Sequence, residues 1–375
     1  MPVLPRAPAL AAAPALLAGA AGAQPAPSSV HGTVRDAARQ PLAGVSVYLS
    51  GTTRGTATDA QGRYRIDGVA PGSYRLVGSM VGYETQTVPV LLAAGDGARA
   101  DLRLAPAVET LAGVRVEAPA DRRWQRRLAR FQRAILGESA NADSARILNP
   151  EVLEFSSSWG ALQATAAAPL VIENRALGYR LRYDLRSFSV TATEVRYDGD
   201  EVFEEIAPAS AAEAFRWAAA RRRAYRGSMP HLLRSMLAGT AAEEGYTLAL
   251  AGDDAGGRRT RGDRAAPTTA DRLVRVGADG WATLTVRGRL EVVYDGEPEE
   301  PAYLRSAWFQ GARRRPAPYQ RSGLTTSRLN VRLDPQGTPL DPFAVSTTGH
   351  MGFERLADRV PRDYGQPPAP ADDGP

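Results

Sequence analysis

Pro41-Leu42-Ala43-Gly44-Val45-Ser46-Val47-Tyr48-Leu49, followed by Thr58-Asp59-Ala60-Gln61-Gly62-Arg63-Tyr64-Arg65-Ile66 and Pro71-Gly72-Ser73-Tyr74-Arg75-Leu76, decides the fold of the amino-terminal part of the chain. Successive side chains of a strand alternate between faces, so Val45, Val47 and Leu49 share one face and Ser46 and Tyr48 the other. Asp59 can bond the backbone ahead of it and Gly62 tolerates positive φ, which makes Thr58–Gly62 a reversal. Ala70-Pro71-Gly72 is the next one. Outward from this core, Val30–Arg35, Val81-Gly82-Tyr83 and Leu102 with Leu104 continue the pattern, and Val114 and Val116 close the sheet edge. Short alternating runs between regular turn signals predict an antiparallel β-sandwich of about seven strands over Val30–Ala118.

The same residues resemble the carboxypeptidase-regulatory-like family, a transthyretin-like sandwich. The matching features are Gly32-x-Val34-x-Asp36, Pro41-Leu42-x-Gly44-Val45-x-Val47, Gly51-Thr52 with Gly55-Thr56, Thr58-Asp59-x-x-Gly62-x-Tyr64, Pro71-Gly72-x-Tyr74-x-Leu76 and Gly82-Tyr83. The resemblance implies a non-catalytic module of secreted carboxypeptidases, outer-membrane receptors and other envelope proteins. It therefore implies placement or interaction, and no chemistry.

Ahead of the sandwich, Arg6, an Ala/Leu-rich run and Ala21-Gly22-Ala23 describe a secretory signal peptide over residues 1–23. The expected location is the periplasm, the outer membrane surface or the exterior. Cys is absent, which removes disulfides, thiol catalysis and Cys-based zinc sites. Lys is absent too, so all 46 basic residues are Arg. The net charge of +5 is spread along the chain and does not point to nucleic acid.

Ala118-Pro119-Ala120 reads as a linker between halves that fold separately. Asp121 then caps a basic amphipathic helix, Arg122–Leu136, with Trp124, Leu128, Phe131 and Ile135 on one stripe. Two readings stand: a peripheral membrane-surface contact through Arg122–Ile135, or a connecting helix whose stripe packs on the next domain. Residues 137–364 read as an α+β, β-rich domain. Tyr179–Arg186 is a long amphipathic strand, Ser189–Tyr197 its partner, and Tyr197-Asp198-Gly199-Asp200 a turn. The Arg face of that strand suits either acidic polymers or plain solvent.

Ser210-Ala211-Ala212-Glu213 is a capping box opening a helix to about Tyr225, and a second helix starts near Pro230 and ends before Gly239. Strands are expected at Tyr246–Ala251, Arg272–Val276, Ala282–Val286, Leu290–Tyr294 and Arg328–Leu333, with loops at 252–269 and at Arg313-Arg314-Arg315-Pro316. Residues 365–375 form a polar tail expected to be disordered. Much of this half, from Leu136-Gly137-x-Ser139 to Gly349-His350-x-x-Phe353-Glu354-Arg355-Leu356-Ala357-Asp358, resembles an uncharacterised region that follows such sandwiches in Gram-negative envelope proteins.

Motifs of chemistry are few. The three His are His31, His231 and His350, and the residues three further on are Val34, Arg234 and Phe353, so no His-x-x-Glu zinc pair exists. A Gly-x-Ser-x-Gly elbow and phosphate-binding glycine loops are also missing. No metal, cofactor or catalytic residue is assigned. His231, Arg223, Tyr225, Arg234 and Glu204 are the candidate binding residues, either lining a polar-ligand site near a helix start or capping that helix. An outer-membrane receptor fails on length, since a barrel of about 22 strands needs roughly 220 residues in strands alone. The expected role is that of an exported binding or assembly protein with an envelope protein or glycan partner. The alternative is an unrecognised hydrolase in the second half.

Overall fold

Alternation of the expected kind builds the sandwich. In the computed structural model, which describes residues 28–107, 121–252, 265–306 and 314–365, the strands are β1 (Ser28–Arg35), β2 (Ser46–Leu49), β3 (Gly55–Ala57), β4 (Arg63–Val69), β5 (Gly72–Ser79), β6 (Gln86–Leu92), β7 (Gly97–Arg99) and β8 (Leu102–Arg103). One sheet runs β4-β1-β7 with β8 beside β1, and the other runs β3-β2-β5-β6. Val30, Val34, Val45, Val47, Leu49, Leu76 and Leu104 fill the space between them and are completely buried. Each such side chain contributes about 1.5–3 kcal/mol by leaving water. The expected turn is held by Asp59, whose Oδ1 accepts from Gln61 N at 2.9 Å and Arg63 N at 2.8 Å. The sandwich departs from a purely antiparallel one, because β7 and β8 lie parallel to β1. Val114 and Val116 lie outside the described residues, as do the leader, the linker and the tail from 366 onward.

A second unit begins with α1 (Arg122–Leu136), capped by Asp121, whose side chain accepts from Arg123 N at 2.9 Å. It is followed by β9 (Ala145–Ile147), β10 (Leu153–Ser158), β11 (Ala161–Ala166), β12 (Leu170–Asn174), β13 (Tyr179–Val190), β14 (Val195–Glu205) and α2 (Ala211–Tyr225). The sheet runs β10-β11-β13-β12-β9, with β14 on the far side of β13. The apolar stripe of α1 (Trp124, Phe131, Ala134, Ile135) is buried, and Phe131, Ala134 and Ile135 join the sheet's own core. That stripe is therefore unavailable to a membrane, and only the Arg face of the helix remains outside. Trp124 Nε1 donates to Leu153 O at 3.4 Å and Arg127 Nη1 to Phe155 O at 3.2 Å, so two side chains of α1 cover the outer carbonyls of β10.

The hairpin between β13 and β14 turns at Thr191–Glu194, where Thr191 N donates to Glu194 O at 2.9 Å. This corrects the expected turn at Tyr197–Asp200, which lies inside β14. Asp and Gly are poor strand formers, but Arg186 and Arg75 pair with Asp198 and Asp200 and hold them in the ladder. Ser210 caps α2 as expected, but Glu213 reaches back one residue further, to Ala209. Ser210 Oγ accepts from Glu213 N at 3.2 Å, while the Glu213 carboxylate accepts from Ala209 N at 2.7 Å.

Helix α2 grips the loop before β13: Trp217 Nε1 donates to Arg175 O at 2.7 Å and Arg221 Nε to Leu177 O at 2.7 Å. Gly178 has φ of 67° and a methyl group there would meet the Trp217 ring at 2.3 Å. Gly178→Ala is expected to cost about 2–4 kcal/mol, combining left-handed strain with overpacking. The urea unfolding midpoint checks it, and a change under about 1 kcal/mol would show that the Trp217 contact yields freely.

The third unit contains α3 (Met229–Ala238), β15 (Tyr246–Ala251), β16 (Ala266–Thr268), α4 (Ala270–Leu273), β17 (Val274–Val276), β18 (Ala282–Thr285), β19 (Arg289–Tyr294), α5 (Pro301–Arg305), β20 (Gln320–Thr326), β21 (Asn330–Leu333), β22 (Val345–Gly349) and α6 (His350–Phe353). Sheets β16-β15-β19-β20-β22 and β17-β18-β21 enclose Leu232, Leu233, Leu284, Leu290, Leu324 and Leu333. Within residues 137–364 the apolar side chains thus gather into two cores. The expected strand at Arg272–Val276 is a helical turn followed by a three-residue strand. Strands β20 and β22 had no counterpart in the sequence reading. Part of the expected 252–269 loop is strand β16, and Arg314 of the expected arginine loop forks onto the buried carboxylate of Glu299 at 2.6 and 2.7 Å.

The sandwich is not a free appendage. Gly51 N donates to Glu201 O at 2.6 Å and Phe203 N to Thr52 O at 3.0 Å, a backbone link to β14. The outer face of the β3-β2-β5-β6 sheet lies on β13 and β14, which buries Tyr48, Val77 and Val202 together. Arg75 Nε meets Asp200 at 2.6 Å, and Arg182 reaches Ser46 at 3.4 Å. On the Arg face of β13, Arg182 is thus turned to the sandwich, while Arg186 pairs with Asp198 and Asp200 and the exposed Arg180 pairs with Glu173. A carboxy-terminal segment closes the assembly. Arg362 donates through its backbone N–H to Gly51 O at 2.7 Å, through Nη1 to Ser73 O at 2.8 Å and through Nη2 to Asp334 at 2.6 Å. Asp363 holds the backbone N–H of Thr53 at 3.0 Å.

Candidate functional site

The candidate residues fall into three places. His231 sits in the first turn of α3, which Ser228 caps by accepting from His231 N at 3.3 Å. Its Nδ1 receives the backbone N–H of Gly227 at 3.1 Å and lies 2.8 Å from the Tyr246 hydroxyl, while Nε2 lies 2.7 Å from Glu244. A backbone N–H can only donate, so Nδ1 carries no proton and Nε2–H donates to Glu244. Burial lowers the His231 pKa, against the opposing pull of Glu244. Tyr225 stacks on this ring with centroids 4.9 Å apart. Arg234 lies over Tyr225 at 5.6 Å and donates through Nη1 to its hydroxyl at 3.5 Å, while Nε and Nη2 donate to the carbonyls of Gln336 and Arg362. The three residues come together as a satisfied structural cluster.

Arg223 belongs elsewhere. Its charge acts on Glu297 and Glu300, on the loop that leads into α5. Glu204 is exposed on β14, where it stands opposite Arg180. The contacts thus join His231, Tyr225 and Arg234, while Arg223 is set toward Glu297 and Glu300 and Glu204 stands opposite Arg180.

A group that sequence reading missed lies beside Arg223. Glu297, Glu299, Glu300, His350, Glu354 and Asp358 gather where α5, α6 and the turn Leu356–Asp358 meet the second unit. Asp358 accepts from Ser139 Oγ at 2.6 Å, from Asn141 at 3.0 Å and from Arg355 N at 3.2 Å. Burial pushes Glu297 up from 4.5 to about 7. It also raises Glu300, Glu354 and Asp358 and lowers His350. One oxygen of Glu300 and Nδ1 of His350 are buried without a hydrogen-bond partner. The four-residue spacing of His350 and Glu354, with Asp358 four further on, was the available signal, although the chain leaves the helix at Glu354. Among the described residues no three His, Asp or Glu side chains are placed to hold a metal ion. Two shallow concavities, each of about 290 Å³, lie away from both clusters. One is lined by Leu250, Pro267, Arg272 and Thr285, and the other by Thr33, Arg35, Arg39 and Arg103 on the sandwich.

The order of strands and the turn chemistry of the first unit decide its kinship, and residues 29–105 match the family model for it. Residues 29–105 are a carboxypeptidase regulatory-like domain. The regulatory-like domain is also similar to part of the TonB-dependent receptor P39 of Formosa agariphila, at 46% identity over 65 residues, which is 17% of this chain and 6% of the receptor. The chain thus spans a small fraction of that relative's length. Among solved structures, the minor pilin GBS52 of Streptococcus agalactiae shares 17% identity over 22% of this chain and 46% of its own, with a TM-score of 0.20. Catechol 1,2-dioxygenase of Pseudomonas arvilla C-1 shares 18% identity over 25% of this chain and 57% of its own, with a TM-score of 0.20. No helix among the described residues is long and apolar enough to cross a membrane, which does not bear on strands that cross one.

Proposed function

We propose that the chain is an exported, non-catalytic binding or assembly protein of the bacterial envelope, in which the regulatory-like domain is one fixed wall of a larger body. The observation that carries this reading is the state of His231. Both of its ring nitrogens are used inside the protein, by Gly227 and Tyr246 on one side and Glu244 on the other. A general base needs a free nitrogen within reach of a substrate proton, and a hydrolase needs a cavity to hold that substrate. The receptor-like kinship of the regulatory-like domain supports the envelope, and Ala21-Gly22-Ala23 supports export with cleavage after Ala23.

Fractionation of expressing cells is expected to recover protein that begins at Gln24 from the envelope or periplasm. An intact Met1 on cytoplasmic protein would sink the export. The purified chain is expected to release no terminal amino acid from model peptides and to bind no stoichiometric zinc. Chelator-sensitive release, lost in His231→Ala or His350→Ala, would instead restore the hydrolase.

A further inference from the structure

The hairpin joining β10 to β11 ends in Ser158-Trp159-Gly160-Ala161. Trp159 has φ of 51° and Gly160 of 78°, so both central residues are left-handed, the two-residue loop that Asn-Gly fills without strain. A bulky residue in this conformation is an outlier. Its indole is also fully exposed, although nothing about the turn needs an aromatic side chain.

Beside the hairpin runs the outer face of α1. From Arg122 to Leu136 the helix contains no Asp or Glu, and Arg122, Arg123, Arg126, Arg130 and Arg133 are exposed. Arg127 and Arg130 reach the carbonyls of Phe155 and Val190. Phe155 lies on the strand leading into the tip, and Val190 pairs with Leu162 just after it. This row of arginines therefore borders the hairpin.

We propose that Trp159 and the arginine face of α1 together form a docking surface for an anionic lipid bilayer. The chemistry separates this partner from a protein. An aromatic anchor in a protein interface needs a surrounding ring of contacts that excludes water, whereas Trp159 projects alone among Ser156, Ser157, Ser158 and Gly160. A lone indole is stable in the headgroup layer, with its body against acyl chains and its N–H in the wet zone. Arginines near an anionic leaflet are drawn to its negative surface potential. The apolar part of the contact comes from the hairpin, because the stripe of α1 is buried. This inference goes beyond the envelope reading and does not depend on export.

Flotation of the full chain with vesicles tests it. Binding to phosphatidylcholine vesicles containing phosphatidylglycerol is expected at low salt. It should disappear with phosphatidylcholine alone and weaken at high salt. Trp159→Asn relieves the left-handed strain, so its melting temperature is expected to hold or rise while bound protein falls at least about tenfold. Arg123→Gln with Arg126→Gln should weaken binding to anionic vesicles and leave melting unchanged. The proposal is overturned if the wild type ignores anionic vesicles, or if Trp159→Asn binds them as well as the wild type does. Capture by envelope vesicles that is lost on protease treatment of those vesicles, with no capture by pure lipid, would overturn it in favour of a protein partner.

Discussion

Asp334→Ala is expected to be among the most damaging single changes in the chain, lowering stability by about 3–5 kcal/mol. The Asp334 side chain is wholly buried and faces Arg362, which is itself 20% exposed. Its two oxygens accept from Ser73 N at 3.0 Å, Gln336 N at 3.0 Å, Thr338 N at 2.8 Å and Arg362 Nη2 at 2.6 Å. Removal leaves three backbone donors without that acceptor and the largely enclosed guanidinium without its counter-charge, held only by the Ser73 carbonyl and the Tyr74 ring, and the uncompensated charge carries most of the cost. Because Ser73 belongs to the sandwich and Asp334 to the third unit, the damage falls on the contact between them. Asp334→Ala is therefore expected to split urea unfolding into two transitions followed by far- and near-ultraviolet circular dichroism. A single transition shifted by less than about 1 kcal/mol would show that Arg362 is held adequately by Ser73 and Gly51 alone.

Stability is expected to fall as the pH rises from about 6.5 to 8.5, opposite to the usual behaviour of salt-bridged carboxylates. Burial raises Glu297, Glu300, Glu354 and Asp358 above ordinary carboxylates. Between the ordinary value near 4.5 and the raised one, the folded state holds more protons than the unfolded state. The favourable contribution is therefore complete below about 4.5 and is lost as pH climbs through the raised values, for Glu297 through about 7. His231 and His350 act in reverse. Burial depresses them below the ordinary 6.5, so their cost appears only as pH falls below that value. Above 6.5 the carboxylates outweigh the His; at roughly 1.4 kcal/mol per unit the whole Glu297 contribution is about 3 kcal/mol, most of it lost below pH 6.5 and about 1 kcal/mol above. Neighbouring charges are included in this balance: Arg223, Arg226 and Arg355 favour the ionised forms, and Asp358 opposes that of Glu354. Glu354→Gln keeps the shape and removes one ionisation, so its stability should exceed that of the wild type at pH 8 and depend less on pH. A wild-type curve rising from pH 6.5 to 8.5, or a variant with an unchanged slope, would refute this account.

What was legible in the sequence followed local periodicity. Val45, Val47 and Leu49 point into the sandwich because period-two alternation has no competitor there. Helix α1 begins and ends where Asp121 and the 3.6-residue stripe say it should. The illegible parts depend on partners far along the chain. Asp198 and Asp200 read as turn residues because Arg75 is more than a hundred positions away. Tyr48 reads as a wet-face residue, and only β14 explains why it is buried. Strand β20 carries Gln, Ser, Gly and Thr, which mask any alternation. The candidate site was partly visible. His231, Tyr225 and Arg234 were found as a local group, whereas Glu297, Glu299 and Glu300 look like a solvated acidic loop until α6 is folded over them.

The cover that Trp124 and Arg127 place on Leu153 and Phe155 has a consequence for the behaviour of many copies at once. An outermost strand offers its outward carbonyls and N–H groups to any passing strand, and that is how native sheets grow into ordered aggregates. Many proteins protect such strands with lysine, which this chain lacks. Here an indole N–H and a guanidinium from a neighbouring helix occupy the carbonyls of β10 directly. The protection lasts only while α1 stays docked. Mild conditions that peel the helix away should therefore produce self-association before general unfolding, seeded from β10 rather than from the sandwich.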